Sequence, residues 1–326
     1  MKKKILALGL AAVMAMSMAP VAMAEEAEDF SGIKIGVILK PESNTFWSGM
    51  AAGIKEWAAE TGAEVDVLFA ESETNIPGQL EQMENMISQD YQAICAAPLS
   101  SSNLVEGVAK ATEAGIIVVN VDEEIDKQAV LDAGGVMYAQ FTTDNILVGQ
   151  KAAAYITEQI GEGQVAIVEG TAGNTTSQQR TKGATDYFAE QEGIELVASQ
   201  SGDWDRLKAQ DVAAAMITAN PELKAIYCCN DVMALGVVSA VQNANMQDQI
   251  IVVGTDATED GKNSVKNGEE TATVGQDNVG IGIQCVKAAC EAVKAGWNPQ
   301  DHLGENIEPQ YVDSFLVTAD NVDDYL

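Results

Sequence analysis

Residues 33–57, "IKIGVILKPESNTFWSGMAAGIKEW", decide the fold. The run at 33–39 is apolar and β-branched, as a strand covered on both faces has to be. A polar, turn-like segment follows, and then Trp47, Met50, Ile54 and Trp57 recur at helical spacing. Two large rings, Phe46 and Trp47, stand at the junction. They either pack inward at the start of the helix or form the wall of a site. Trp47 lies on the apolar stripe, so its spacing allows core packing as readily as ligand contact; Phe46 lies off it.

The same strand-then-helix unit recurs along the chain. "AEVDVLFA", "YQAICAAP" and "IIVVNVD" alternate with helical windows such as "IPGQLEQMENMISQ". The alternation restarts at "QVAIVEG" and runs through "IELVASQ", "LKAIYCCN" and "QIIVVGTD", and a last long helix window covers "VGIGIQCVKAACEAVKAG". Strands alternating with helices of ten to fifteen residues mean βαβ units and parallel sheets. Two such series predict an α/β chain of two doubly wound parallel-sheet lobes.

The chain opens on three lysines, an apolar run and the small residues Ala22 and Ala24, the pattern of a secretory signal peptide cut after residue 24. An acidic linker, 25–32, comes next. Of 18 Lys+Arg and 49 Asp+Glu, removal of Lys2, Lys3 and Lys4 leaves 15 against 49, a net charge of −34. Such a surface repels phosphate backbones and anionic membranes, which excludes nucleic acid as a partner and favours an exported, soluble protein. Cys95, Cys228, Cys229, Cys285 and Cys290 have no framework spacing, and His302 is the sole histidine. Buried free thiols are expected, with no metal and no cofactor.

In doubly wound sheets, ligands sit beyond the carboxyl ends of the strands. That rule selects residues 43–47, 97–102 and 122–124 in the first series, and 170–180, 202–205, 230–231 and Asp256 in the second. Standing there are rings (Phe46, Trp47, Trp204), amides (Asn44 and Asn230, with Gln276 after the last strand), carboxylates (Asp122, Glu123, Asp256) and the guanidinium of Arg180. Flat apolar faces among donors and acceptors suit a pyranose or furanose, whose C–H face lies on a ring while its hydroxyls need partners. Other roles stay open. Asn230 and Asp231 read locally as helix caps, Asp256 shares that ambiguity, and Arg180 reads as a residue on an exposed helical face. Asp122 to Glu124 could be a solvated turn. Trp204, in the polar turn "GDWDR", is the hardest to explain as core.

Seven stretches carry a family resemblance: "SNTFWSGMAAGIKEWAAETG", "VVNVDEE", "TTDNILVGQKAAAYI", "EGTAGNTTSQQRTKG", "ASQSGDWDRLKAQDV", "AIYCCNDVMALGVVSAVQ" and "VVGTDATEDG". Over 33–320 the chain resembles the periplasmic sugar-binding proteins of ABC importers, of the ribose-binding type. The resemblance implies that Asn44 and Asp122 bind ligand hydroxyls from the first lobe and that Phe46 and Trp47 supply ring faces there. It gives hydrogen bonding from the second lobe and hinge to Arg180, Asn230, Asp256 and Gln276, with Trp204 as the opposing ring. It also implies three hinge crossings near 143–144, 276–278 and 313–314. The lobes would then be 33–143 with 277–313, and 144–276 with 314–326.

The implied partners are a sugar and a membrane permease, with a chemoreceptor as a further candidate, and the protein is expected to be a monomer. After Asp122 the ribose-binding pattern has arginine, where this chain has Glu123. An acceptor in place of a five-donor fork leaves ribose unsupported and points to a neutral or amino-bearing sugar. Competing classes fare worse. An enzyme finds no G-x-G-x-x-G turn and no Ser-His-Asp set, and a repressor-type sensor would carry a DNA-binding segment where this chain has its leader. A cyclitol, an autoinducer or a nucleoside remains an alternative ligand in the same fold.

Overall fold

The computed structural model describes residues 28–326; the proposed leader and the first residues of the acidic linker lie outside it. Five strands and four helices open the chain: β1 (Lys34–Leu39), α1 (Thr45–Thr61), β2 (Glu64–Phe69), α2 (Ile76–Ile87), β3 (Ala93–Ala96), α3 (Val105–Glu113), β4 (Ile117–Val121), α4 (Lys127–Asp132) and β5 (Ala139–Thr143). The second series runs α5 (Asn145–Ile160), β6 (Gly163–Glu169), α6 (Thr175–Ala189), β7 (Ile194–Ser201), α7 (Arg206–Ala219), β8 (Leu223–Cys228), α8 (Asp231–Asn243), β9 (Ile251–Asp256), α9 (Glu259–Lys266) and β10 (Ala272–Gln276). Then come α10 (Asn278–Ala295), β11 (Gln310–Val312) and β12 (Ser314–Thr318).

Two six-stranded sheets result, ordered β2-β1-β3-β4-β5-β11 and β7-β6-β8-β9-β10-β12. All pairings are parallel except β10 with β12. In each sheet the chain winds one way from the first strand and then the other, so the gap between the first and third strands is a switch point where loops splay apart. The chain changes sheet between β5 and α5, between β10 and α10, and between β11 and β12. The short strands β11 and β12 and the short helices α4 and α9 are additions to the elements read from the sequence.

Burial explains why the strands read as they do. β1, β3 and β4 are covered on both faces and are apolar apart from Lys34 at the start of β1 and the buried Asn120 in β4, whereas β2 alternates exposed and half-buried residues at the sheet edge. Asn44 caps α1, its side chain accepting from the Phe46 N–H at 3.0 Å, and Gly62 ends the helix in the left-handed region at φ 77°. The first-lobe core on the α1 side is completed by α10, which contributes Ile281, Cys285, Val286, Ala289 and Cys290. All five cysteines are buried and free. Burial pushes the thiols of Cys95 and Cys228 well up, and that of Cys229 to about 11, as inert core residues require.

Candidate functional site

All ten residues singled out above line one cavity of about 330 Å³ between the carboxyl ends of the two sheets. That figure includes space open to solvent, and so small a site suits one ring rather than a chain of them. From the first lobe come Asn44 and the rings of Phe46 and Trp47, on the loop after β1 and the start of α1. Those rings pack edge to face, with centroids 4.8 Å apart and planes at 80°. Trp47 is 4 % exposed and belongs to the first-lobe core as well as to the cavity wall, so the two readings of its spacing both apply. The Phe46 carbonyl accepts from Asn278 Nδ2 at 2.6 Å, which ties the turn to the start of α10.

Arg180, on the first half of α6, is 3 % exposed. This corrects the reading of it as a residue on an open helical face. Its Nε donates to Asn145 Oδ1 at 2.9 Å, and its Nη1 to the Cys229 carbonyl at 2.6 Å and to Asp256 Oδ1 at 3.2 Å. The same Asp256 oxygen accepts from Gln276 Nε2 at 2.6 Å. Burial raises Asp256 to about 6 against the downward pull of Arg180, so near neutral pH the pair is a charge-assisted contact. Asn230 caps α8, accepting from the Met233 N–H at 2.9 Å, and lines the cavity too. Asp231 faces away from the cavity and accepts from Thr258 and Thr273.

Three lining residues hold their backbones in the left-handed region: Asp122 at φ 52°, Trp204 at φ 60° and Asp256 at φ 112°. Non-glycine residues rarely sit there, and such strain gathers where side chains must be aimed. What they aim is unsatisfied. Asp122 Oδ1, Trp204 Nε1 and Gln276 Oε1 are buried polar atoms without a protein hydrogen-bond partner. Two acceptors and one donor, contributed by both lobes, therefore face the same space. Burial lifts Asp122 to about 7, with Arg180 pulling it down and Glu123 pushing it up. Hydroxyl donors at Oδ1 would favour its charged form.

Three lining residues escaped the sequence reading: Lys40, Glu73 and Thr176. Lys40 ends β1 and is almost fully buried, with its Nζ 3.0 Å from Glu73 Oε2 and 3.8 Å from Glu123 Oε2. The same nitrogen lies 5.8 Å from the ring centroids of both Trp47 and Trp204, which belong to opposite lobes. Burial alone would weaken its charge, but Glu73 and Glu123 outweigh that and raise its pKa. The strand-end rule extended by three residues would have found it.

Glu123 is 2 % exposed, lines the cavity and also reaches across the cleft. Its Oε2 accepts from Asn174 Nδ2 at 2.7 Å and its Oε1 from the Thr176 N–H at 3.2 Å, both at the start of α6 in the other lobe.

Two lobes of equal topology, closing over a cavity walled by rings, carboxylates and amides, define a two-lobed solute-binding protein. The chain belongs to the periplasmic binding protein family: the model for a periplasmic binding protein domain matches residues 35–296. It is 44 % identical over 291 residues to the D-allose-binding periplasmic protein of Escherichia coli, covering 89 % of this chain and 93 % of that one. It is 35 % identical over 289 residues to the D-ribose/D-allose-binding protein of Pseudomonas aeruginosa, covering 88 % and 89 %. Among solved structures, an ABC transporter periplasmic solute-binding protein from Actinobacillus succinogenes with bound D-allose superposes with a TM-score of 0.83. Its identity is 31 %, over 90 % of this chain and all of that one. A Bacillus halodurans solute-binding protein with bound myo-inositol gives a TM-score of 0.79 at 27 % identity, covering 91 % and 98 %.

Proposed function

We propose that this protein captures a monosaccharide between its lobes and delivers it to the permease of an ABC importer. The observation that carries the reading is the convergence, from both lobes, of buried unpartnered polar atoms on Asp122, Trp204 and Gln276 around a ring-walled cavity. A polyhydroxylated ring meets both demands at once: its hydroxyls partner those atoms and its C–H faces lie on the indoles. Because the ligand touches both lobes, it favours the closed arrangement, and the closed arrangement is what a permease reads.

The charge around the cavity selects the class of sugar. Lys40 and Arg180 stand against Glu73, Asp122, Glu123 and Asp256, so a sugar acid meets net repulsion while a neutral hexose does not. The likeness to the D-allose binders supports a neutral aldohexose of the D-allose kind. The lining residues pair no hydroxyl or thiol nucleophile with a base, which supports binding without turnover. The leader pattern supports export to the periplasm or beyond, and a chemoreceptor is a second candidate reader of the closed form.

Native mass spectrometry of freshly purified protein, followed by calorimetry with D-allose, D-ribose, myo-inositol and a hexuronate, tests this. The expected result is tight, unaltered binding of a neutral hexose, with D-allose ahead of D-ribose. Tight binding of the hexuronate would overturn the charge argument. A preference for myo-inositol would replace the sugar by a cyclitol, and product formation would replace the carrier by an enzyme.

A further inference from the structure

We infer that Glu123 is a latch between the lobes, and that its carboxylate sets how firmly the protein closes on any neutral sugar. The inference rests on the sugar-binding reading only for its ligand arm. Glu123 follows β4 in the first lobe, and the partners of its carboxylate, Asn174 and the Thr176 N–H, are the cap and first turn of α6 in the second. Asn174 is used on both sides. Its Oδ1 accepts from the Ser177 N–H at 2.8 Å as the helix cap, which leaves its Nδ2 facing Glu123. Glu123 thus supplies from across the cleft a second cap to a helix that already has one. A carboxylate at this end also meets the favourable pole of the helix dipole.

Because its two sides belong to different lobes, the contact breaks when the lobes separate. Each oxygen accepts one bond from the second lobe, so the carboxylate is held across the cleft while it still lines the cavity. Lys40, 3.8 Å from Oε2, is shared between Glu123 and Glu73 and is itself held in the cavity wall by them. Removing the charge of Glu123 therefore loosens closure and lets Lys40 shift.

The test combines Glu123→Gln, Asn174→Ala and the double variant, with thermal melting to confirm folding. Hydrogen bonds to a charged group contribute about 1.5–3 kcal/mol, so sugar dissociation from Glu123→Gln should quicken by roughly 10- to 150-fold at 1.4 kcal/mol per decade. Association should be unchanged, and the order of affinities among neutral sugars kept. Asn174→Ala should act in the same direction, and the double variant should lose less than the two losses combined. Small-angle scattering should find unliganded Glu123→Gln more extended than the wild type. A loss confined to sugars sharing one hydroxyl, or unchanged dissociation rates, overturns the latch. Should the wild type bind no sugar, the functional proposal fails by itself, and the latch is judged on unliganded scattering, where equal extension of the two proteins overturns it.

Discussion

Replacing Gly170 by alanine tests whether the Trp204 indole is a fixed wall of the cavity. A Cβ at position 170 would lie 2.1 Å from Cζ2 and 2.2 Å from Cε2 of Trp204, where ordinary contact begins at 3.4 Å. The ring must therefore retreat by about 1.3 Å, the difference between 3.4 and 2.1. Its backbone offers little slack, since Asp203 and Trp204 are both already left-handed. The ring lines the small cavity and also a wider groove beside Ser72, Thr74 and Arg206, so any retreat reshapes the cavity wall. Forcing extra bulk into a packed site costs about 1–3 kcal/mol, so Kd for the bound sugar should rise roughly 5- to 150-fold at 1.4 kcal/mol per decade. Calorimetry reads this directly, while the melting temperature should move by only a few degrees because the change is confined to two loops. Gly170→Ala combined with Trp204→Phe should recover part of the affinity, since the smaller ring leaves the methyl room. Unchanged affinity in Gly170→Ala would refute the reasoning, for it would mean that the indole can swing away without the ligand noticing.

Arg180→Met should destabilise the second lobe by about 3–5 kcal/mol, because Asp256 stays buried without its cation; urea denaturation measures it, and Arg180→Lys should recover only part for want of the guanidinium fork. Burial holds Asp122 and Asp231 at about 7 and Asp256 at about 6, against about 3.9 for Asp in an unfolded chain. The folded, ligand-free protein therefore binds these protons more tightly, and the stability they contribute is full below about pH 4 and is lost as pH rises through about 7. Melting temperature followed from pH 4 to 8 should fall accordingly, and less steeply in Asp122→Asn. Gly149→Ala should cost about 1–3 kcal/mol, read by denaturant titration, because its Cβ would stand 2.1 Å from the Arg180 carbonyl oxygen where α5 crosses α6.

Most of the architecture could be read from the sequence because buried parallel strands announce themselves as largely apolar runs, as at residues 35–39 and 117–121, where Asn120 is the one polar residue. β11 could not. It has three residues, two of them exposed, and its place in the sheet comes from pairing with β5 far away in the chain. The strand-end rule found the rings and amides because each stands within a few residues of its own strand. It failed where a side chain's surroundings come from elsewhere. α6 is polar along most of its length, so nothing local marks Arg180 as buried; its depth is set by Gly149 and Gly183, which let α5 and α6 touch backbone to backbone, and by partners from α5, β8 and β9. Likewise the residue type at 123 shows an acceptor, while the identity of its donors depends on a loop 51 residues onward in the other lobe.

The position of α10 bears on how the molecule is made. Five of the six strands of the first lobe's sheet come from the opening of the chain, yet one face of its core stays bare until a helix ending at Ala295 arrives, so some 295 of 326 residues must leave the ribosome before that face can be covered. A nascent chain in this state presents an open apolar face for nearly all of its synthesis. If the chain is exported as proposed, such tardiness is an asset: premature consolidation is deferred by topology alone.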